Sequence, residues 1–254
     1  MSHTSLEAAF ISEQGLRAEM EDAHFLDGDF AGRGWVFGGI YDGHGGKLAA
    51  QYAARHLHLR FKELVLNGSS PQSAFEQSYR FVSDELSYQD SGTTAVTFLI
   101  KEGIVYTANV GDSRAIVVGR SSFQQLTEDH RIENKTERDR VLSMGGVIEP
   151  PYVFRNGTGI MPTRTIGDEY FKAVGVIATP SITEYEISQD DLMLVAACDG
   201  LFDFMSNDEV AKFTRANLEP KTLLDALRDE VLLKRSGTDN LTIIAISLPN
   251  LKRR

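Results

Sequence analysis

Trp35-Val36-Phe37-Gly38-Gly39-Ile40-Tyr41 runs straight into Asp42-Gly43-His44-Gly45-Gly46. Far down the chain, Leu192-Met193-Leu194-Val195-Ala196-Ala197-Cys198 runs straight into Asp199-Gly200. Short apolar runs closed by glycine read as buried strands. Each carries an aspartate to its tip, where the backbone is rigid and the side chain still meets solvent. Two such tips brought to one sheet edge would make a site for a hard metal ion.

Outward from these runs, residues 93–100, 104–110, 115–118 and 241–248 are rich in β-branched side chains and predict further strands. Gly111-Asp112-Ser113 joins two of them and reads as a hairpin turn. Helices fall between. Ser70-Pro71 is an N-cap and first-turn pair, followed by Phe75, Tyr79, Val82 and Leu86 on one helical face. Ala49, Ala53, Leu57, Phe61 and Leu64 mark a second amphipathic helix, a third starts near Pro220, and a fourth spans Glu133 to Met144, ending at Gly145. Short turns between strands predict antiparallel sheets, and clustered helices favour an α+β layered fold over a doubly wound one.

A third carboxylate, Asp239, stands directly before the strand 241–248. If strand 192–198 runs antiparallel to that strand, Asp199 and Asp239 share a sheet edge, and Asp42 must join them by tertiary folding. Arg17-Ala18-Glu19-Met20-Glu21-Asp22-Ala23-His24 adds more acid, as do Asp129 and Asp203. Asp and Glu donors without a His/Cys cluster suit Mg²⁺ or Mn²⁺ rather than zinc. A lone Asp-Gly is most simply a turn. Several that end apolar runs in one chain call for another account.

Composition narrows the function. Apolar content of 42% in 254 residues is enough for a full core, and without any linker or repeat a single domain over 1–254 is expected, its core at about 10–248. A net charge of −10 argues against nucleic acid or an anionic membrane as partner, and the short basic end Lys252-Arg253-Arg254 does not reverse it. A lone cysteine, Cys198, fits a reducing compartment. No secretory signal, myristoylation site or bilayer-spanning run is read, so a cytoplasmic location, with the nucleus also open, and a monomeric state are expected.

RAEMEDAH (17–24), YDGHGG (41–46), SGTTAV (91–96), GDSR (111–114), CDGLFD (198–203) and GTDN (237–240) occur in order. Together they resemble the successive motifs of metal-dependent Ser/Thr protein phosphatases of type 2C, in forms closer to the eukaryotic branch. The resemblance covers nearly the whole chain. It implies a sandwich of two antiparallel β-sheets flanked by helix pairs, with a binuclear Mg²⁺ or Mn²⁺ centre at one end and phosphorylated Ser/Thr proteins as substrates. By motif position Asp42 would bridge both ions, Asp199 and Asp239 would complete one, and the Gly43 carbonyl would join the other. Glu21 and Asp22 would hold water in the ions' shells. Asp129, with Asp199 and Asp203, matches the place of a third ion in some members. Arg17 would bind the phosphate dianion with its fork of donors, and His44 would give a proton to the leaving oxygen. Asn156 to Arg164 (NGTGIMPTR) corresponds to the flap beside the active site. It reads as one residue longer than the family pattern, with Pro162 inside it; Arg164 reads as a structural flap residue and Asp168 as a turn residue.

Two other classes fit the sequence less well. A catalytically inactive phosphatase-like binding module would keep the sandwich and lose acidic ligands, whereas Asp42, Asp199 and Asp239 are all present. A cysteine-dependent phosphatase needs an Arg six residues after its thiolate; Phe204 stands there after Cys198, and the apolar run around that cysteine disfavours a thiolate. Gly45-Gly46-Lys47 fails as a P-loop, since Tyr41 stands where the first glycine is required.

Overall fold

Alternate residues along each central strand face opposite ways, and here both faces are apolar, so each sheet needs cover on two sides. The computed structural model describes residues 6–87, 90–249 and 251. The Lys252-Arg253-Arg254 end and residues 1–5, on which the leader and myristoylation readings partly rest, lie outside the described residues. One sheet has the order Ala8–Glu13, Leu241–Ser247, Asp191–Ala197, Arg114–Gly119, Phe123–Gln125. The other has the order Ser181–Glu186, Ile104–Val110, Ala95–Lys101, Trp35–Tyr41, Ala23–Phe30. Every pairing in both is antiparallel.

Between the sheets, Val36, Ile40, Val96 and Phe98 pack with Val117, Leu194, Ala196 and Ile244. On the outer face of the second sheet, Phe37, Tyr41 and Leu99 meet Ala53, Leu57 and Phe61 of helix Leu48–Leu66 and Phe75 and Tyr79 of helix Pro71–Glu85. On the outer face of the first, Val195 and Ile243 meet Val210 of helix Asn207–Ala216 and Leu224 and Leu227 of helix Pro220–Asp229. The result is four layers, helix–sheet–sheet–helix, the α+β sandwich expected. Ser70 caps its helix as read, its hydroxyl accepting from the Ser73 N–H. Among the described residues no helix is long and apolar enough to cross a membrane.

Gly111-Asp112-Ser113 is not a hairpin turn. Ile104–Val110 lies in the second sheet and Arg114–Gly119 in the first, so this segment carries the chain across the sandwich. His130 holds the corner: its backbone N–H donates to the Gly111 carbonyl, and the Gly111 N–H donates to its Nδ1. A corner and a hairpin need the same turn residues, so composition could not separate them.

Beyond the sandwich, strands Val147–Glu149, Tyr152–Arg155 and Thr158–Ile160 form a small sheet with helix Lys135–Ser143 beside it. This flap has its own core, including Val141, Val153, Ile160, Phe171 and Val176. Glu137, fully buried, anchors its base. Its carboxylate accepts from Arg140, Arg164 and the Thr163 hydroxyl. Burial alone would raise the Glu137 carboxyl, but these donors outweigh it and hold the group well below the usual carboxylate range. Arg164 also donates to the Thr179 carbonyl at 2.9 Å, a structural role as read.

Glu137→Gln leaves two guanidinium groups without their counter-charge and should cost about 3–5 kcal/mol at neutral pH, read by urea unfolding. The carboxylate's contribution is present above its unfolded value of about 4.3 and is lost as pH falls below it, so the wild-type and variant stabilities should converge toward acid pH.

Candidate active site

The registers deliver the acids to one end of the sandwich. Ala23 pairs with Tyr41, so Asp22, just before its strand, meets Asp42, just after its own. In the other sheet Ala197 pairs with Ile243 and the Cys198 N–H donates to the Thr242 carbonyl, which sets Asp199 beside Asp239 and Asn240. Asp199 and Asp239 thus share a sheet edge as expected. Asp42 does not share it: the two Asp-Gly tips come from opposite sheets and meet across the sandwich end. Both glycines are close-approach positions. A Cβ on Gly43 would lie 2.5 Å from the Glu21 carbonyl oxygen, and one on Gly200 would lie 2.0 Å from that of Asn240.

The loop bearing Arg17 and Glu21 is stitched to this end by Asn240. Its side-chain amide donates to the Gln14 and Glu19 carbonyls, and its Oδ1 accepts from the Glu21 N–H at 2.8 Å. The Glu21 carboxylate accepts from the Gly46 N–H at 2.7 Å. Arg17, with a side chain 56% exposed, donates to Asp239 at 2.7 Å. His44 Nε2 lies 2.7 Å from the Asp168 carboxylate. Arg17, Glu21, Asp42, Gly43, His44, Asp112, Asp168, Asp199 and Asp239 line a cleft of about 370 Å³, whose facing wall is the flap residues Tyr152, Ile160, Met161 and Pro162.

The electrostatics of the cleft are those of like charges held together. Burial, and then the charges of Asp199, Asp22 and Asp112, push the Asp42 carboxyl well above its ordinary range. Burial, and then Asp112, Asp203 and Asp239, push Asp199 up to about 7. Burial lifts Asp22 to about 6. Neither Asp22 oxygen, both fully buried, meets a hydrogen-bond donor in good geometry. Asp22, Asp42 and Cys198 bring ligand atoms within 4.8 Å of one another. Burial pushes the Cys198 thiol well up, and its Sγ accepts from the Thr242 N–H, so the donors facing the cleft are oxygens. An all-oxygen set carrying uncompensated negative charge fits Mg²⁺ or Mn²⁺.

Not every sequence candidate joins the cluster directly. Arg131 lies among Asp112, Asp199 and Asp203, at 2.7, 3.4 and 2.9 Å. Asp129 is held in a two-pronged pair with Arg114 at 2.6 and 3.0 Å. Asp112, Asp168 and Asn240 had no site role in the sequence reading. The first two were hidden by turn readings. The available signals were the GDSR motif around Asp112 and the Gly167-Asp168 pair after the flap.

A four-layer sandwich with carboxylates from both sheets gathered at one end is the frame of a metal-dependent phosphatase. Residues 6–240 match the family Protein phosphatase 2C. The human Protein phosphatase 1A is 33% identical over 269 residues, covering 94% of this chain and 70% of that protein. A rice relative carrying the name Probable protein phosphatase 2C 7 is 32% identical, covering 97% of this chain and 67% of that protein. The fold matches the crystal structure of serine-threonine phosphatase 2C from Toxoplasma gondii with a TM-score of 0.84 at 19% identity, over 97% of this chain and 96% of that one. The chain belongs to the protein phosphatase 2C family of metal-dependent protein-serine/threonine phosphatases.

Asp42→Asn removes one charge from a crowded set. The metal-free variant should be more stable than metal-free wild type by about 1 kcal/mol, and it should lose the rise in Tm that Mn²⁺ gives the wild type. Calorimetric melting with and without Mn²⁺ reads both effects.

Proposed function

We propose that this enzyme hydrolyses phosphoserine and phosphothreonine on proteins by direct attack of water, with two Mg²⁺ or Mn²⁺ ions and no covalent phosphoenzyme. The observation that carries this reading is the oxygen-only acidic cluster at the sandwich end, assembled from both sheets and short of positive charge. Asp42, set between the acids of the two sheets, would bridge the ions. Asp199 and Asp239 would complete one site, the Gly43 carbonyl would join the other, and Glu21 and Asp22 would act through water. Ions bound there lower the pKa of a water molecule and offset charge on the phosphoryl oxygens.

The remaining work falls to side chains of the cleft. Arg17 stands at the mouth with donors to spare beyond its bond to Asp239, suited to a phosphate dianion. The oxygen of water forms the new bond to phosphorus as the bond to the Ser/Thr oxygen breaks. His44 gives that oxygen a proton, so inorganic phosphate and a free hydroxyl leave. The flap wall shapes the approach of the phosphoprotein. A third ion at Asp129, Asp199 and Asp203 would require Asp129 to leave Arg114. The inactive-module reading loses ground because the acidic set is complete and shares one cleft.

Purified protein with saturating Mn²⁺ should hydrolyse phosphothreonine peptides, and chelator should stop it reversibly. Mn²⁺ bound without turnover would favour the binding-module reading. Asp199→Asn should lower kcat by about 100-fold or more, and Arg17→Ala should mainly raise KM. Steady-state kinetics separates the two.

A further inference from the structure

Strands Gly43–His44, Gly92–Thr93 and Ile166–Gly167 form a small antiparallel sheet at the acidic end. Its register sets His44 opposite Gly92, and Gly92 opposite Gly167. Asp168 follows directly and carries three marks of a residue placed for one contact. Its φ of +51° lies in the left-handed region, uncommon for a side-chain-bearing residue and a source of strain. It stands at the N-cap of helix Glu169–Lys172, where aspartate commonly caps, yet its side chain makes no capping bond. Its carboxylate fills space that only a glycine leaves: a Cβ on Gly92 would lie 1.9 Å from Oδ2 and 2.5 Å from Oδ1. Nearby Lys172 does not claim the carboxylate, for its ammonium donates to the Thr165 carbonyl at 2.8 Å. The side chain is 5% exposed, against 32% for the His44 side chain it meets at 2.7 Å.

We propose that Asp168 is a positioning residue that fixes the His44 ring for proton delivery. It acts through His44 and does not touch substrate. With Nε2–H donating to the Asp168 carboxylate, Nδ1 is the nitrogen left to serve the cleft. The Nδ1 proton passes to the Ser/Thr oxygen as its bond to phosphorus breaks. The Nε2 proton stays on the bond to Asp168, leaving a neutral imidazole of defined tautomer. The inference rests on the phosphatase reading above, with His44 as the proton donor.

The test compares wild type, Asp168→Asn, Gly92→Ala, His44→Gln and the Asp168→Asn/His44→Gln double variant at saturating Mn²⁺. Substrates are p-nitrophenyl phosphate, a good leaving group that needs little proton assistance, and a phosphothreonine peptide, a poor one that needs much. Asp168→Asn should lower kcat on the peptide by about 10- to 100-fold with KM within about twofold. It should lower kcat on p-nitrophenyl phosphate much less. In the double variant the peptide loss should equal that of His44→Gln alone, because both act on one proton transfer. Mn²⁺ affinity by calorimetry should stay within about threefold of wild type, since the ligand set is untouched. Gly92→Ala keeps the carboxylate and displaces it, so it should show the same substrate-dependent loss, and it carries the test if Asp168→Asn fails to fold. Equal losses on both substrates, additive losses in the double variant, or a fall in Mn²⁺ affinity that accounts for the lost rate would each overturn the role of Asp168. A wild type inactive on both substrates would instead remove the phosphatase reading beneath it.

Discussion

Carboxylates of one sign, gathered where water is scarce, repel each other and lose hydration at the same time. The acidic end of this sandwich holds Asp22, Asp42, Asp112, Asp199 and Asp239 under that constraint. Nothing local to those residues would keep them together. The work is done by sheets anchored on three hydrophobic layers: the interior between them and the two helix-covered outer faces. The arginines relieve only part of the repulsion. Arg17 answers Asp239 and Arg131 answers Asp112, while Asp42 has no cationic partner among the described ion pairs. The fold therefore carries an electrostatic debt at one end, and a divalent ion is the group whose charge and oxygen preference match it.

The same geometry explains why each acid is followed or preceded by what it is. A glycine follows Asp42 and Asp199 alike because the backbone after each tip runs against another carbonyl, at Glu21 and at Asn240, with no room for a side chain. Asn240 is an amide and not another acid because its position calls for donors and an acceptor at once: two loop carbonyls on one side and the Glu21 N–H on the other.

Much of this was legible in the sequence, and what was not shares one cause. Strand runs, helix faces and the Ser70 cap are local signals, written in spacing that the backbone enforces. The adjacency of Asp199 and Asp239 followed from a single antiparallel pairing. The arrival of Asp42 from the opposite sheet did not, because no local pattern states which strands share a sheet. For the same reason Gly111-Asp112-Ser113 looked like a hairpin while the chain was crossing the sandwich, and Asp168 looked like a turn residue while its carboxylate was answering a histidine 124 positions away. Buried Glu137 was invisible for a related reason. A charged residue in a polar helix reads as surface until the two guanidinium groups and the hydroxyl that hold it are seen to converge at the flap's base.

The flap has a core of its own, built around Val141, Val153, Ile160 and Val176 and separate from the layers beneath the acids. Its base is fastened by the contacts of Glu137, Arg140 and Arg164. The flap wall of the cleft and the acids opposite it are thus supported by different cores. Changes in the packing around Val153 and Ile160 therefore need not disturb the packing that holds the acids. The two parts are mechanically separable, a head fastened to its engine at one buried carboxylate.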